Sequence, residues 1–147
     1  AKKQLWYGNV IKKINDLKDK RLCVFVGPYQ TKNFQSILED IDIALHLKYK
    51  DPCPNAVIEK IKLGIPHIYS NSGGTPELVR NSGLPLTVKD CWDRQVPVNV
   101  DDLCKNIVEM SNNIGIFEKL TFQHAQKNFI WENYLKTHKE LFKKILR

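Results

Sequence analysis

Hydrophobic and polar positions along this chain switch between two periods, and the switching predicts its elements. Residues 4–18 place Leu5, Val10, Ile14 and Leu17 near helical spacing, which predicts a helix. Leu22-Cys-Val-Phe-Val26 is apolar on both faces and stops at Gly27-Pro28, the pattern of a buried parallel strand. Thr31–Asp40 returns to the helical period, with Phe34, Ile37, Leu38 and Ile41 as its stripe. Ile41, Ile43, Leu45 and Leu47 then alternate and predict a second strand. A short helix over Asn55–Leu63 leads to a third strand, His67–Ser70, and Pro85–Val88 forms a fourth. Thr75-Pro76-Glu77 predicts a helix start, with a capping hydroxyl, a proline in the first position and an acid in the first turn. Everything beyond the connection DCWDRQVPVNVDD is helical. Leu103, Ile107 and Ile114 mark one helix, Phe117–Asn128 another, and Trp131 to Ile145 a long amphipathic one.

Strand–helix alternation of this kind implies right-handed crossovers and a Rossmann-like, mostly parallel α/β sheet with helices on both faces, here followed by a helical C-terminal tail. With 147 residues and neither repeat nor linker, the expectation is a single domain. Hydrophobic residues at 42% and charged residues at 27% fit a globular chain. Leu22–Val26 is the longest apolar run, far short of the ~20 residues a spanning helix needs. AKKQLWYGNVIKK lacks a signal's apolar core, so a cytoplasmic setting is expected. The four cysteines form no C-x-x-C pair and have no histidine at zinc spacing, which predicts free thiols, with Cys23 in the core. None of the four histidines stands in a catalytic pattern, and all are expected to be structural.

A net charge of +7 favours anionic partners in general. The lysines alternate with acids in KKINDLKDKR and HKELFKKILR, as on a solvated helix face. The aromatics stand at core-like helical spacing, so no nucleic-acid partner is expected. HKELFKKILR sets Leu141, Phe142, Ile145 and Leu146 beside Lys139, Lys143, Lys144 and Arg147. Its basic face can rest on anionic lipid, as a peripheral contact, or on a partner domain. Its apolar side is expected to pack on the chain's own sheet.

Chemistry concentrates in KYKDPCPNAVIE, where two acids flank a stiff Pro-Cys-Pro loop. Ligands of open parallel sheets bind outside the carboxyl ends of the strands. Gly27-Pro28-Tyr29, Lys50–Asn55 and Asn71-Ser72-Gly73-Gly74 meet that description. Asp51 is expected to end its strand, and Glu59 to stand in the first turn of the next helix, leaning toward the N-terminus. The two carboxylates would then converge on one pocket, with the amides of Cys53, Asn55 and Ala56 between them for a phosphate. Hydroxyl-binding acids beside an anion site suit a nucleotide sugar. Plainer readings stay open: a dipole complement for Glu59, a turn cap for Asp51, a tight turn for the glycine pair.

DPCPNAVIE followed by LGIPHIYSNSGGTPELV resembles the donor-binding signature of retaining glycosyltransferases of the GT-B fold, in the group called family 4. The resemblance runs from about Ile41 to Val79. It implies half of a GT-B fold and transfer of a sugar from a nucleoside diphosphate to an acceptor hydroxyl, with retention and without a metal or other cofactor. By that resemblance Asp51 would contact the transferred sugar as the catalytic acid residue, and Glu59 would hold the ribose hydroxyls. The backbone of Cys53, Pro54, Asn55 and Ala56 would face sugar and diphosphate, with Gly73 and Gly74 bordering the donor and Gly27 and Pro28 against the base. The acceptor, a glycan or lipid-linked sugar of polysaccharide or glycolipid biosynthesis, would bind a second Rossmann-like domain, for which this chain has no length. The family usually has Glu where Asp51 stands. Its first strand and cationic pair also precede this chain's start, and Lys2, Lys3 and Lys32 cannot be assigned that cationic role. The expectation is a donor-binding domain over 1–147 without its first strand and acceptor domain. The alternative is a non-catalytic nucleotide- or nucleotide-sugar-binding regulatory module.

Overall fold

The computed structural model describes residues 12–13, 15–16, 34–91, 94 and 96–146. The chain divides into two compact units, Ala1–Glu39 and Asp40–Arg147. In the first, residues 12–13 and 15–16 are helical, within the predicted 4–18 helix. A short helix, α1 (Phe34–Leu38), lies inside the predicted Thr31–Asp40 span. The predicted strand Leu22–Val26, the loop with Gly27 and Pro28, and Lys2, Lys3, Cys23 and Lys32 lie outside the described residues.

The second unit alternates as expected: β1 (Ala44–His46), α2 (Asn55–Lys62), β2 (His67–Ser70), α3 (Thr75–Val79), a 3-10 turn (Arg80–Ser82) and β3 (Leu84–Leu86). Three helices follow: α4 (Val100–Asn112), α5 (Ile114–Asn128) and α6 (Trp131–Ile145). The described strands form a parallel sheet in the order β1-β2-β3, with Ala44 opposite His67 and Ile68 opposite Leu84. β2 lies in the middle and all four of its residues are buried, the polar His67 and Ser70 as well as Ile68 and Tyr69, as in a strand covered on both faces.

Both faces of the sheet are covered, as the α/β pattern implies. On one face Tyr69 packs with Val57 and Ile61 of α2, Val79 of α3 and Ala125 of α5. On the other, Ile68 and Leu86 meet Met110 of α4, with Leu103, Ile107, Ile114 and Phe117 around them. Ile61, Ile68 and Leu86 are at most 1% exposed. Burial of each is worth about 1.5–3 kcal/mol. Ile114 belongs to α5 rather than to the helix marked by Leu103 and Ile107. The break falls at Asn113, whose N–H donates to Met110 O and whose side chain turns back to Glu109 O.

α2 ends where Leu63-Gly64-Ile65-Pro66 says it should. Gly64 takes a φ of 82°, its N–H donates to Ile61 O, and the N–H of Ile65 donates to Lys60 O. These are the two bonds of a Schellman end, and Pro66 cannot continue the helix. At α3 the expected cap is corrected. Gly74 occupies the N-cap position with no side-chain hydrogen bond, and Thr75 lies inside the helix, fully buried, its hydroxyl without a partner.

His67 opens β2 at 1% exposure, and neither ring nitrogen meets a partner at hydrogen-bonding geometry. Burial pushes its pKa down to about 4, with Lys60 and His46 pushing the same way and the Ile65 backbone opposing. Between pH 6.5 and about 4 the unfolded chain therefore binds a proton that the folded chain refuses, and stability falls as pH falls. The loss amounts to about 3 kcal/mol across that window. His67→Leu removes the ring and should flatten the slope in denaturant titrations between pH 4 and 6.5. An unchanged slope would show that the acid sensitivity arises elsewhere.

Candidate functional site

The site is built from loops at the carboxyl ends of the three strands, and each is tied to the next. Beyond β1 the chain turns through Lys50, whose φ of 51° lies in the left-handed region. That costs a residue with a side chain about 1–2 kcal/mol. The turn is held from the loop after β2. Ser70 Oγ donates to Lys48 O at 2.8 Å, Lys50 N–H donates to Ser72 Oγ at 3.0 Å, and Gly74 N–H donates to Asp51 O at 2.9 Å. The glycine pair is required by this approach. A Cβ on Gly74 would stand 2.0 Å from Pro52 O, and one on Gly73, where φ is 64°, would stand 2.4 Å from Asp51 O. The space opened by Gly73 and Gly74 is thus filled by the backbone of the neighbouring loop.

The segment after β3 joins from the far side. The Tyr49 hydroxyl accepts the Cys91 N–H at 2.6 Å and lies 3.0 Å from Cys91 O and 3.2 Å from Lys89 O, so its single proton is shared. Lys50 Nζ pairs with Asp90 Oδ1 at 2.6 Å. This hydrogen bond holds the Asp90 carboxyl below the usual carboxylate range, with Tyr49 adding to the effect.

Asp51 lies five residues beyond the end of β1 rather than at its tip, and it is buried at 8% exposure. Its Oδ2 is 3.1 Å from Lys48 Nζ and 3.4 Å from His46 Nε2. With the Lys48 side chain 66% exposed, that ion pair contributes about 1 kcal/mol or less. Burial lowers the His46 pKa, Asp51 opposes, and Lys48 and Lys60 push it further down. A ring held neutral in this way meets Asp51 as a dipole, not as a cation. Lys60 is also lowered, first by burial, with Glu59 opposing, and its ammonium donates to Ala56 O at 3.2 Å. His46, expected to be structural, is therefore in contact with the candidate catalytic carboxylate. Sequence spacing alone does not single out Lys48, although the run Lys-Tyr-Lys-Asp displays it beside Asp51.

α2 starts without a cap. Pro54 holds the N-cap position in an extended conformation and has no side-chain oxygen to offer. Val57 and Ile58 donate back to Pro54 O, so the N–H groups of Asn55 and Ala56, with that of Cys53, have no internal acceptor among the described residues. Cys53 and Asn55 are exposed, and the Cys53 thiol is free. Glu59 stands in the second turn of α2, not the first. It is exposed, on the side of the helix away from the buried Val57 and Ile61. Asp51 and the α2 N-terminus are thus adjacent through the Pro-Cys-Pro loop, whereas Glu59 occupies a solvated position and makes no described contact with Asp51.

No protein-family model matches the sequence, and neither does any curated relative. Among solved structures the chain is similar to a sucrose-phosphate synthase from Thermosynechococcus elongatus, with a TM-score of 0.68 at 18% sequence identity. The match covers 90% of this chain and 33% of that one, so the chain spans about a third of that protein's length. At this identity the likeness is one of fold. The fold class expected from the sequence, a Rossmann-like half of a GT-B arrangement with a helical tail, is the one observed.

The contact between the two loops is sensitive to one methyl group. Gly74→Ala should destabilise the chain by about 1–3 kcal/mol through overpacking against Pro52 O. Gly73→Ala should add about 1–2 kcal/mol for its left-handed backbone. Denaturant unfolding measures both, and losses below about 0.5 kcal/mol, the scale of an ordinary surface substitution, would mean the loops separate freely.

Proposed function

We propose that this chain is the donor-binding part of a retaining glycosyltransferase of the family 4 type, which holds a nucleoside-diphosphate sugar for transfer of the sugar to an acceptor hydroxyl. The observation that carries the reading is the uncapped N-terminus of α2, with the amides of Asn55 and Ala56 unpaired beside the braced carboxylate of Asp51. The shared fold with part of a sucrose-phosphate synthase supports it. In this reading the diphosphate lies against those amides, where the helix dipole favours an anion. Charge grows on the leaving diphosphate, and fixed amides together with the exposed Lys48 ammonium stabilise it without reorganising. Both cationic or polar neighbours of Asp51 meet Oδ2, which leaves Oδ1 to accept from a sugar hydroxyl. Glu59 accepts from the ribose diol. The acceptor, a glycan or lipid-linked sugar, would be presented by a second domain.

The pairing of Asp51 with Lys48 and His46 favours a second reading, a module that binds the nucleotide sugar without transferring it. There the carboxylate serves only to hold the loop.

Calorimetric titration separates the roles. Glu59→Gln should weaken nucleoside-diphosphate binding by about 1.5–3 kcal/mol, toward the lower value because the carboxylate is exposed, and should weaken a 2′,3′-dideoxy analogue far less. Asp51→Asn should leave affinity for the bare diphosphate nearly intact while reducing recognition of the sugar-bearing donor. Equal losses for ribose and dideoxyribose ligands would remove Glu59 from the site.

A further inference from the structure

α6 does not pack on the sheet. None of its residues is buried, which corrects the expectation that its apolar side covers the core. Trp131, Tyr134, Leu135, Leu141, Phe142 and Ile145 are between 38% and 67% exposed. At 3.6 residues per turn they share an arc of about 120°, a wide apolar face. Lys139 flanks one edge of that arc and Lys144 the other, while Lys143 and Lys136 lie further round toward the back of the helix, with Glu132 between Lys139 and Lys143. Four lysines against two glutamates leave residues 131–145 at +2. The aromatics of this helix are outside the core too, with Trp131 and Tyr134 stacked 5.0 Å apart at its start.

We infer that α6 is a membrane-surface helix that lies flat on anionic lipid. The length fits an interfacial and not a spanning element: 15 residues reach about 22 Å. No helix among the described residues is long and apolar enough to cross a bilayer. Trp and Tyr are stable at the headgroup level, where a ring has one apolar and one wet side. The aliphatic side chains between them enter the acyl boundary, and the marginal lysines reach up to lipid phosphates with their stems along the apolar surface. Nucleic acid is the poorer fit for the same face. Bases stack on rings but gain little from the branched aliphatics Leu135, Leu141 and Ile145, which divide the aromatics. The net positive charge, with Lys139 and Lys144 at the two edges of the face, favours negative lipid over a neutral apolar partner. This inference is independent of the donor site, which lies on other elements.

The test uses the chain with vesicles of phosphatidylcholine alone or with one-third phosphatidylglycerol. Sedimentation should show binding to the anionic vesicles only, reversed by high salt. Lys139→Gln and Lys143→Gln should each weaken it about fivefold, the effect of one lysine charge near such a surface. Both side chains are exposed, so the variants should fold; an unchanged circular dichroism spectrum verifies it. The chain has three tryptophans, and the emission blue shift on binding should disappear in Trp131→Phe. Equal binding to both vesicle types, a blue shift that survives Trp131→Phe, or lysine variants that bind undiminished would overturn the inference. So would Trp131 already shielded from iodide without vesicles, which would assign the face to a protein contact, or displacement of the chain from vesicles by generic RNA at physiological salt.

Discussion

The backbone of Asp51-Pro52 runs so close to Gly73-Gly74 that no side chain fits between them, and the whole candidate site hangs on that approach. β1 stops at His46, so the backbone after it has left the strand ladder and must find other partners. Ser70 and Ser72 supply them as hydroxyls, and Gly74 supplies a backbone N–H. Lys50 can then hold a left-handed conformation that the sequence around it does not favour, and Asp51 follows at a fixed place and angle. A strained residue held by several surrounding bonds is a frequent companion of a binding site.

Around Asp51 the charges are unequal. One buried carboxylate oxygen faces an exposed ammonium and an imidazole that burial keeps neutral. Lys60 adds a second ammonium in the same neighbourhood, and burial depresses it without a carboxylate bonded to it. Lys48 stands against Asp51, and Lys60 is opposed by Glu59 on the same helix, so the two ammoniums are matched by two carboxylates beside the helix N-terminus. A buried carboxylate needs such partners merely to remain ionised.

Much of this was legible in residue order, because local pattern and packing agree there. β2 matches His67–Ser70 because Ile68 and Tyr69 favour a strand and Pro66 and Asn71 supply the breakers on either side. The end of α2 was readable because only glycine adopts the backbone at position 64 cheaply. Elsewhere tertiary packing overruled the local signal. Thr75 has the chemistry of a cap, yet the approach of Gly74 to Asp51 moves the cap position one residue back and buries the hydroxyl. His46 reaches Asp51 only through a turn set by Lys50, and no spacing rule encodes a left-handed lysine. The amphipathic pattern of α6 was plain, but a stripe states that a face is apolar and not what lies against it.

The bonds that sew the first two loops together join residues 22 apart, Lys48 to Ser70 and Lys50 to Ser72. A strand–helix–strand crossover cannot be made much shorter than a dozen residues, so this loop closes at little more than the least entropy its topology permits. Contacts of such short range form early and reopen independently of distant parts of the chain. The unit from β1 to the start of α3 thus has the character of a foldon. Its amides should exchange with solvent as one group, and they should stay protected while the exposed α6 frays.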